Sequence, residues 1–300
     1  MERIKLSENL SISRIVHGFW RLMDWNMGSN EVTDLIKKDL ENGITTFDHA
    51  DIYGNYMVEE KFGEILAREP GLRDKIQIVT KCGIKLLSEN RLENKFHTYD
   101  TSKAHIIKSV EKSLENFKTD YIDLLLLHRP NLFIDPNEVA DAFNQLKKEG
   151  KVKEFGVSNF LPNQYDMLQS YLDMPLVTNQ TEMSVLELKQ FENGTIEHSL
   201  ENRISPMAWS PLAGGRIFSG NDDKINNIKK ALYKVAREHN TEKIDMIMYA
   251  WLLNHPAKII PVIGTGKWDR VNTAIESKKV KLTNDQWFEI YVASKGREID

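Results

Sequence analysis

A single cysteine, Cys82, leaves no internal disulfide to be made, and so thiol-poor a chain suits a reducing compartment; a cytoplasmic location is expected. Long apolar runs are also missing. The longest, Met246 to Leu253, falls far short of the ~20 residues a spanning helix needs, and the opening MERIKLSENL has no secretory apolar core, so no membrane association is expected. Neither sign of charge dominates. Forty Lys and Arg against 44 Asp and Glu leave a net charge of -4, with no overall positive field to gather phosphates, so nucleic acid is not an expected partner. There is no His-Glu-x-x-His and no cysteine cluster, hence no expected metal. No Gly-x-Gly-x-x-Gly follows a strand, which removes the Rossmann site, and the Gly-x-Ser of GVSNF lacks the second glycine of a hydrolase elbow.

What is present is a core. Apolar residues are 41% and charged residues 28% of the 300, enough to bury one large domain over residues 1–300. Short strand-like runs alternate with amphipathic stretches: Arg14 to Gly18, Thr45 to Phe47, Ile76 to Thr80, Asp123 to Leu127, Val152 to Val157, Leu176 to Asn179, Ile204 to Trp209 and Ile259 to Ile263. Between the first two, Val32, Leu35, Ile36 and Leu40 share one helical face, and Gly43 is placed to stop the helix. Thr101 or Ser102 is placed to cap the helix bearing Ile107, Val110, Leu114 and Phe117, and Asp135 with Pro136 opens the one bearing Val139, Phe143 and Leu146. Runs such as DLLLL and IIPVI are apolar on successive residues, as in a parallel sheet buried on both faces. Eight βα units favour a (β/α)8 TIM barrel over a doubly wound sheet, preceded by an N-terminal β-hairpin of Ile4 to Leu6 and Leu10 to Ile12 around Ser7, Glu8 and Asn9.

Barrels of this kind carry chemistry at the C-terminal ends of their strands. Those ends supply Asp48 after ITTF, Tyr53 in FDHADIYG, Lys81 closing IQIVTK and His128 closing DLLLLH. Taken singly, each suits a loop cap, a solvated strand end or a satisfied polar residue; together they fall at one end of three successive strands. With GKVKEFGVSNF, TNQTEMS and MAWSPL, these motifs make nearly the whole chain resemble the aldo-keto reductase family, and WRLMDWNM with DHADIYG resembles its bacterial YdhF-like branch. The resemblance implies a catalytic set of Tyr53, Asp48, Lys81 and His128 that reduces aldehydes or ketones with NADPH/NADP+. Hydride reaching a carbonyl carbon builds negative charge on the oxygen, and Tyr53 would supply the proton there. The positive charge of Lys81 would favour the phenolate and lower the tyrosine's pKa, Asp48 would keep Lys81 charged, and His128 would orient the oxygen or assist the proton.

For the cofactor, the resemblance implies Ser158, Asn159 and Gln180 at the nicotinamide amide, Trp209 beneath its ring, and Ser210, Leu212, Gly214 and Gly215 along the pyrophosphate, with Phe19, Trp20 and Asp48 also on the cofactor's side. Ser158 and Asn159 have a plainer reading, as caps of the helix starting near Pro162. In PVIGTGKWDR, a strand runs through Gly264, Thr265 and Gly266 into a helix, so backbone N–H groups with Lys267 and Arg270 suit an anion such as an adenosine 2′-phosphate. Thr273 and Ala274 stand where the family often has Glu-Asn against adenine. Trp20 and Trp25 give an aromatic mouth for a small carbonyl substrate. Two rivals remain: a Schiff-base lyase acting through Lys81, and a non-catalytic NADPH-binding regulatory module of the same fold.

Overall fold

The computed structural model describes Met1–Ile299. Strands β1 (Arg3–Lys5) and β2 (Ser11–Ser13) form the expected hairpin, setting Ile4 opposite Ile12. Then come β3 (Val16–Gly18), α1 (Ser29–Glu41), β4 (Thr46–Asp48), the single turn α2 (Tyr53–Tyr56), α3 (Val58–Arg68) and β5 (Gln77–Cys82). An excursion follows in which β6 (Ile84–Lys85) pairs antiparallel with β7 (Thr98–Tyr99). Regular alternation resumes with α4 (Lys103–Phe117), β8 (Ile122–Leu127), α5 (Pro136–Lys148), β9 (Val152–Ser158), α6 (Pro162–Gln169) and β10 (Leu176–Glu182). The chain continues through α7 (Thr195–Glu201), β11 (Met207–Trp209), α8 (Arg216–Ser219), α9 (Asp223–Glu238), α10 (Ile244–Leu253), β12 (Ile260–Ile263), α11 (Trp268–Glu276) and α12 (Asn284–Lys295).

Eight strands close into a parallel barrel in the order β3, β4, β5, β8, β9, β10, β11, β12, so this is a (β/α)8 barrel. The expected strands are all present with shifted ends. Arg14 is left out of β3 because its N–H bonds back to Glu2 O beside the hairpin. Ile204 is left out of β11 because its N–H closes the end of α7 on Ser199 O. The helix boundaries follow their punctuation: the Ser102 side chain accepts from His105 N, the Asp135 side chain from Asn137 N, and Gly43 takes the left-handed φ of 81° that ends α1.

The contacts divide the chain into two compact units, Met1–Asn179 with Gly264–Gly266, and Gln180–Ile263 with the chain from Lys267 onward. The first is built on an aromatic and aliphatic core that includes Phe19, Ile36, Phe47, Phe62 and Phe117. Here α3 presses so closely on α4 that a Cβ at Gly63 would stand 1.9 Å from Asn116 O. The second unit packs α9, α10 and α12 around Leu232, Val235, Ile247, Trp251 and Ile290. Among the described residues no helix is long and apolar enough to cross a membrane.

Candidate active site

The first unit brings the four polar residues together: Lys81 hydrogen-bonds Asp48 and Tyr53, and the His128 ring lies against that of Tyr53. Pleating explains the direction: alternate residues of β4 and β5 point inward, so Asp48 and Lys81 enter the barrel while Phe47 joins the core outside it. Lys81 is 1% exposed, and its Nζ donates to Asp48 Oδ2 at 2.7 Å, to the His49 carbonyl at 2.7 Å and to Tyr53 Oη at 3.1 Å. These are the three bonds an ammonium can donate. Tyr53 stands on a tight turn followed by left-handed backbone at Gly54, Asn55 and Tyr56, a conformation that non-glycine residues adopt at a cost and that clusters at functional sites. His128 follows β8 directly, with its ring edge-on to that of Tyr53 at 5.9 Å between centroids.

Electrostatics sharpen the roles and reverse one expectation. Desolvation pulls Lys81 downward, but Asp48 and then Tyr53 more than offset it, so the ammonium is held above its ordinary value. Desolvation pushes the Tyr53 phenol up, and Lys81 only partly opposes it, so the net shift is upward rather than the expected lowering. Tyr53 therefore holds its proton firmly at neutral pH. Burial, followed by the charges of Lys81 and Arg129, drives His128 well below its ordinary value, leaving a neutral ring with one N–H to offer. Its Nδ1 is buried without a hydrogen-bond partner.

Ser158 and Asn159 do not cap α6. Its N-cap is Leu161, whose N–H donates to the Gln164 side chain. Instead, Asn159 Nδ2 donates to Ser158 Oγ at 2.8 Å and to the His128 carbonyl at 3.3 Å, joining this pair to the backbone of His128. Trp20 is 55% exposed, whereas Trp25 is half-buried against His17 and Phe19. Phe19 lies wholly in the core, so only its backbone is left to meet a ligand. At Gly266 a Cβ would sit 2.8 Å from the Trp25 ring and 2.9 Å from Met27 Sδ, while at Gly264 it would meet nothing nearer than Gly18 O at 3.9 Å.

In the second unit, Gln180 lies buried in β10, and Trp209 ends β11 opposite Glu182, partly exposed. The next residues carry left-handed backbone at Ser210, Ala213, Gly214 and Gly215, a conformation open to glycine and adopted by other residues at a cost. Lys267 is the N-cap of α11 and provides no side-chain cap to its first turn, which also bears Arg270; both residues are exposed. The left-handed Gly214 and Gly215, a helix N-terminus with no side-chain cap from Lys267 and two exposed cations fit a phosphate-bearing dinucleotide.

Sequence reading passed over His49. Its ring is fully buried among Phe19, Phe62 and Phe117, with centroids 5.1, 4.5 and 5.1 Å away, and neither nitrogen has a hydrogen-bond partner. Burial and then the charge of Lys81 hold it well below the ordinary 6.5. Below that value the unfolded chain takes up a proton that the folded ring refuses, so this site's contribution to stability is full above pH 6.5 and is lost on acidification. Asp51, whose carboxyl burial pushes up, acts with the opposite sign, so the comparison must be made against a variant that shares it. On urea unfolding across the acidic range, His49→Leu should lose stability less steeply than the wild type, by up to about 1.4 kcal/mol per pH unit. Parallel curves would exclude a neutral His49. Cys82 is buried with its thiol pushed well up, and so is inert. A cavity of about 780 Å³ beside α4, lined by Asp51, Glu59, Arg91 and Lys112 among others, includes none of the four catalytic candidates.

The model of the aldo/keto reductase family matches residues 14–294. The oxidoreductase YcsN of Bacillus subtilis, uncharacterised by its name, is 52% identical over the full length of both chains. Oxidoreductase YdhF of Escherichia coli is 46% identical over all of this chain and 99% of its own. A 6-dehydroglucose reductase of Agrobacterium fabrum is 45% identical over the whole of both.

Proposed function

Since the chain belongs to the aldo/keto reductase family, we propose that it reduces a small aldehyde or ketone to the alcohol with NADPH, Tyr53 donating the proton. The observation that carries this reading is the threefold donation of Lys81 Nζ to Asp48, the His49 carbonyl and Tyr53. Reduced nicotinamide, when bound, would supply hydride to the carbonyl carbon. His128, held neutral, would donate its one N–H to the carbonyl oxygen and fix its direction. As that oxygen gains charge, the Tyr53 proton moves to it, and the Lys81 ammonium stabilises the phenolate left behind. A neutral imidazole is a poor acid, which favours Tyr53 over His128 as the donor. The Schiff-base alternative needs a free amine at Lys81, whereas its nitrogen is held as an ammonium with every proton engaged.

Ser158, Asn159 and Gln180 would hold the nicotinamide amide, Trp209 would stack on its ring, and Ser210, Leu212, Gly214 and Gly215 would follow the pyrophosphate. Gly264, Thr265, Gly266, Lys267 and Arg270 would take the 2′-phosphate. Lys267→Ala or Arg270→Ala should then raise the NADPH dissociation constant roughly tenfold while barely changing that for NADH, because each charge-assisted bond contributes about 1.5 to 3 kcal/mol. Equal losses for both cofactors in a titration of cofactor fluorescence would refute the phosphate assignment.

A polyhydroxylated aldehyde is the substrate class favoured by the full-length likeness to a 6-dehydroglucose reductase. The exposed ring of Trp20 offers a flat apolar face on which the C–H side of such a chain can lie. NADPH oxidation against sugar aldehydes, simple aldehydes and ketones, with the alcohol product identified, tests both the activity and this class. No turnover of any carbonyl would favour the regulatory-module reading, and borohydride trapping of substrate on Lys81 would favour the lyase.

A further inference from the structure

Beneath the Gly264–Gly266 loop lies a buried histidine–aspartate pair that the reaction chemistry does not use. His17, at the centre of β3, and Asp39, on the inner face of α1, both have fully buried side chains. His17 Nδ1 lies 2.7 Å from Asp39 Oδ2, and on the other side of the ring Nε2 lies 3.0 Å from the Thr265 carbonyl oxygen. A carbonyl oxygen only accepts, so Nε2 must carry a proton directed at Thr265. Nδ1 must then share a further proton with the Asp39 carboxylate, which balances the charge. Phe19 and Trp25 flank the ring at 5.2 and 5.6 Å between centroids, so it cannot swing away without disturbing the core. On the same loop, Gly266 is seated so closely on Trp25 and Met27 that a Cβ would not fit. The chain passes from this point directly into the N-cap of α11.

We propose that His17 is a positioning residue for cofactor binding, locking the Thr265 carbonyl inward so that the N–H groups of the following turn face the phosphate. The inference rests on the assignment of this loop to the cofactor's 2′-phosphate. Burial of an ion pair contributes little net stability and becomes costly when one partner is removed, so its use here lies in fixing one loop conformation. A loop free to rotate at Thr265 would have to be ordered at each binding event, which weakens affinity without removing any contact to the ligand.

Two substitutions divide the ring's two bonds. His17→Gln keeps a donor near the position of Nε2 and loses the one facing Asp39; His17→Asn keeps a donor near Nδ1 and loses the one facing Thr265. Each loses one buried bond, so thermal unfolding should fall in both. Titration with NADPH, read by cofactor fluorescence, should show about a tenfold rise in dissociation constant for His17→Asn and no more than about threefold for His17→Gln. Should His17→Asn fail to fold, the double variant His17→Leu/Asp39→Leu serves instead. It removes the ring's donor to Thr265 together with the buried carboxylate that would otherwise be left without it, and should weaken NADPH binding in the same direction. Affinities that follow the melting temperatures, or equal losses for Gln and Asn, overturn the inference in favour of a purely structural pair. If Lys267→Ala weakens NADPH binding while His17→Asn, or the double variant in its place, does not, this inference alone falls. If Lys267→Ala has no effect, the phosphate assignment falls and this inference with it.

Discussion

Tyr53→Phe should fold normally, bind NADPH as the wild type does, and lose carbonyl reduction by a factor of about 10² to 10⁴ in turnover, the range expected for removal of a general acid. The ring remains and only Oη is deleted. Lys81 then keeps Asp48 Oδ2 and the His49 carbonyl, both at 2.7 Å, so the ammonium stays paired in its buried site. What disappears is a 3.1 Å bond between Lys81 and a hydroxyl, whose net contribution to stability is only about 1 kcal/mol. Activity and stability are thereby separated, and near-normal turnover would refute Tyr53 as the donor. The pH profile gives an independent reading. The donor must be protonated, and the Tyr53 phenol is pushed above its ordinary 10.0, so reduction in the wild type should hold through neutral pH and fall only on the strongly alkaline side. A decline near neutrality would implicate another acid.

The strands that position this site were legible because a parallel sheet buried on both faces leaves an apolar signature in each segment. DLLLL in β8 is one such run, and every residue of that strand is buried. The four catalytic candidates were legible for the same reason: a charged or hydroxyl-bearing residue at the end of an apolar run stands out. The paired segments β6 and β7 did not, since two residues each are too short to show a period. The clamp at His17 was invisible for a different reason. Its partners are 22 and 248 residues away, and nothing local distinguishes a histidine facing two acceptors from one in a satisfied core. His49 sits beside Asp48, yet its cage is drawn from Phe19, Phe62 and Phe117, brought together only by the fold. The direction of the Tyr53 shift was likewise out of reach, because it depends on how far desolvation outweighs the neighbouring Lys81, and sequence supplies the charge without the burial.

Lys81→Met should be the most damaging single change at this site, because it removes a charge from both the reaction and the fold. In the reaction, the Tyr53 phenolate loses the ammonium that stabilises it, and turnover should fall at least as far as in Tyr53→Phe. In the fold, Asp48 is 2% exposed and its Oδ2 faces Lys81 at 2.7 Å, so removing the lysine takes the counter-charge from a carboxylate in a desolvated site. Breaking a buried pair from one side typically costs about 3 to 5 kcal/mol, whereas replacing both partners by neutral groups is often close to neutral. The double variant Asp48→Asn/Lys81→Met should therefore recover most of the stability lost in Lys81→Met while recovering none of the activity. Urea unfolding of the wild type, the two single variants and the double variant closes that cycle, and NADPH oxidation on the same four proteins gives the second readout. If the double variant is no more stable than Lys81→Met, the pair does not share its charge as the geometry requires. If it regains turnover along with stability, Lys81 only supports the fold, and the phenolate of Tyr53 needs another source of positive charge, for which Arg129, whose charge acts on both Tyr53 and His128, is the nearest candidate.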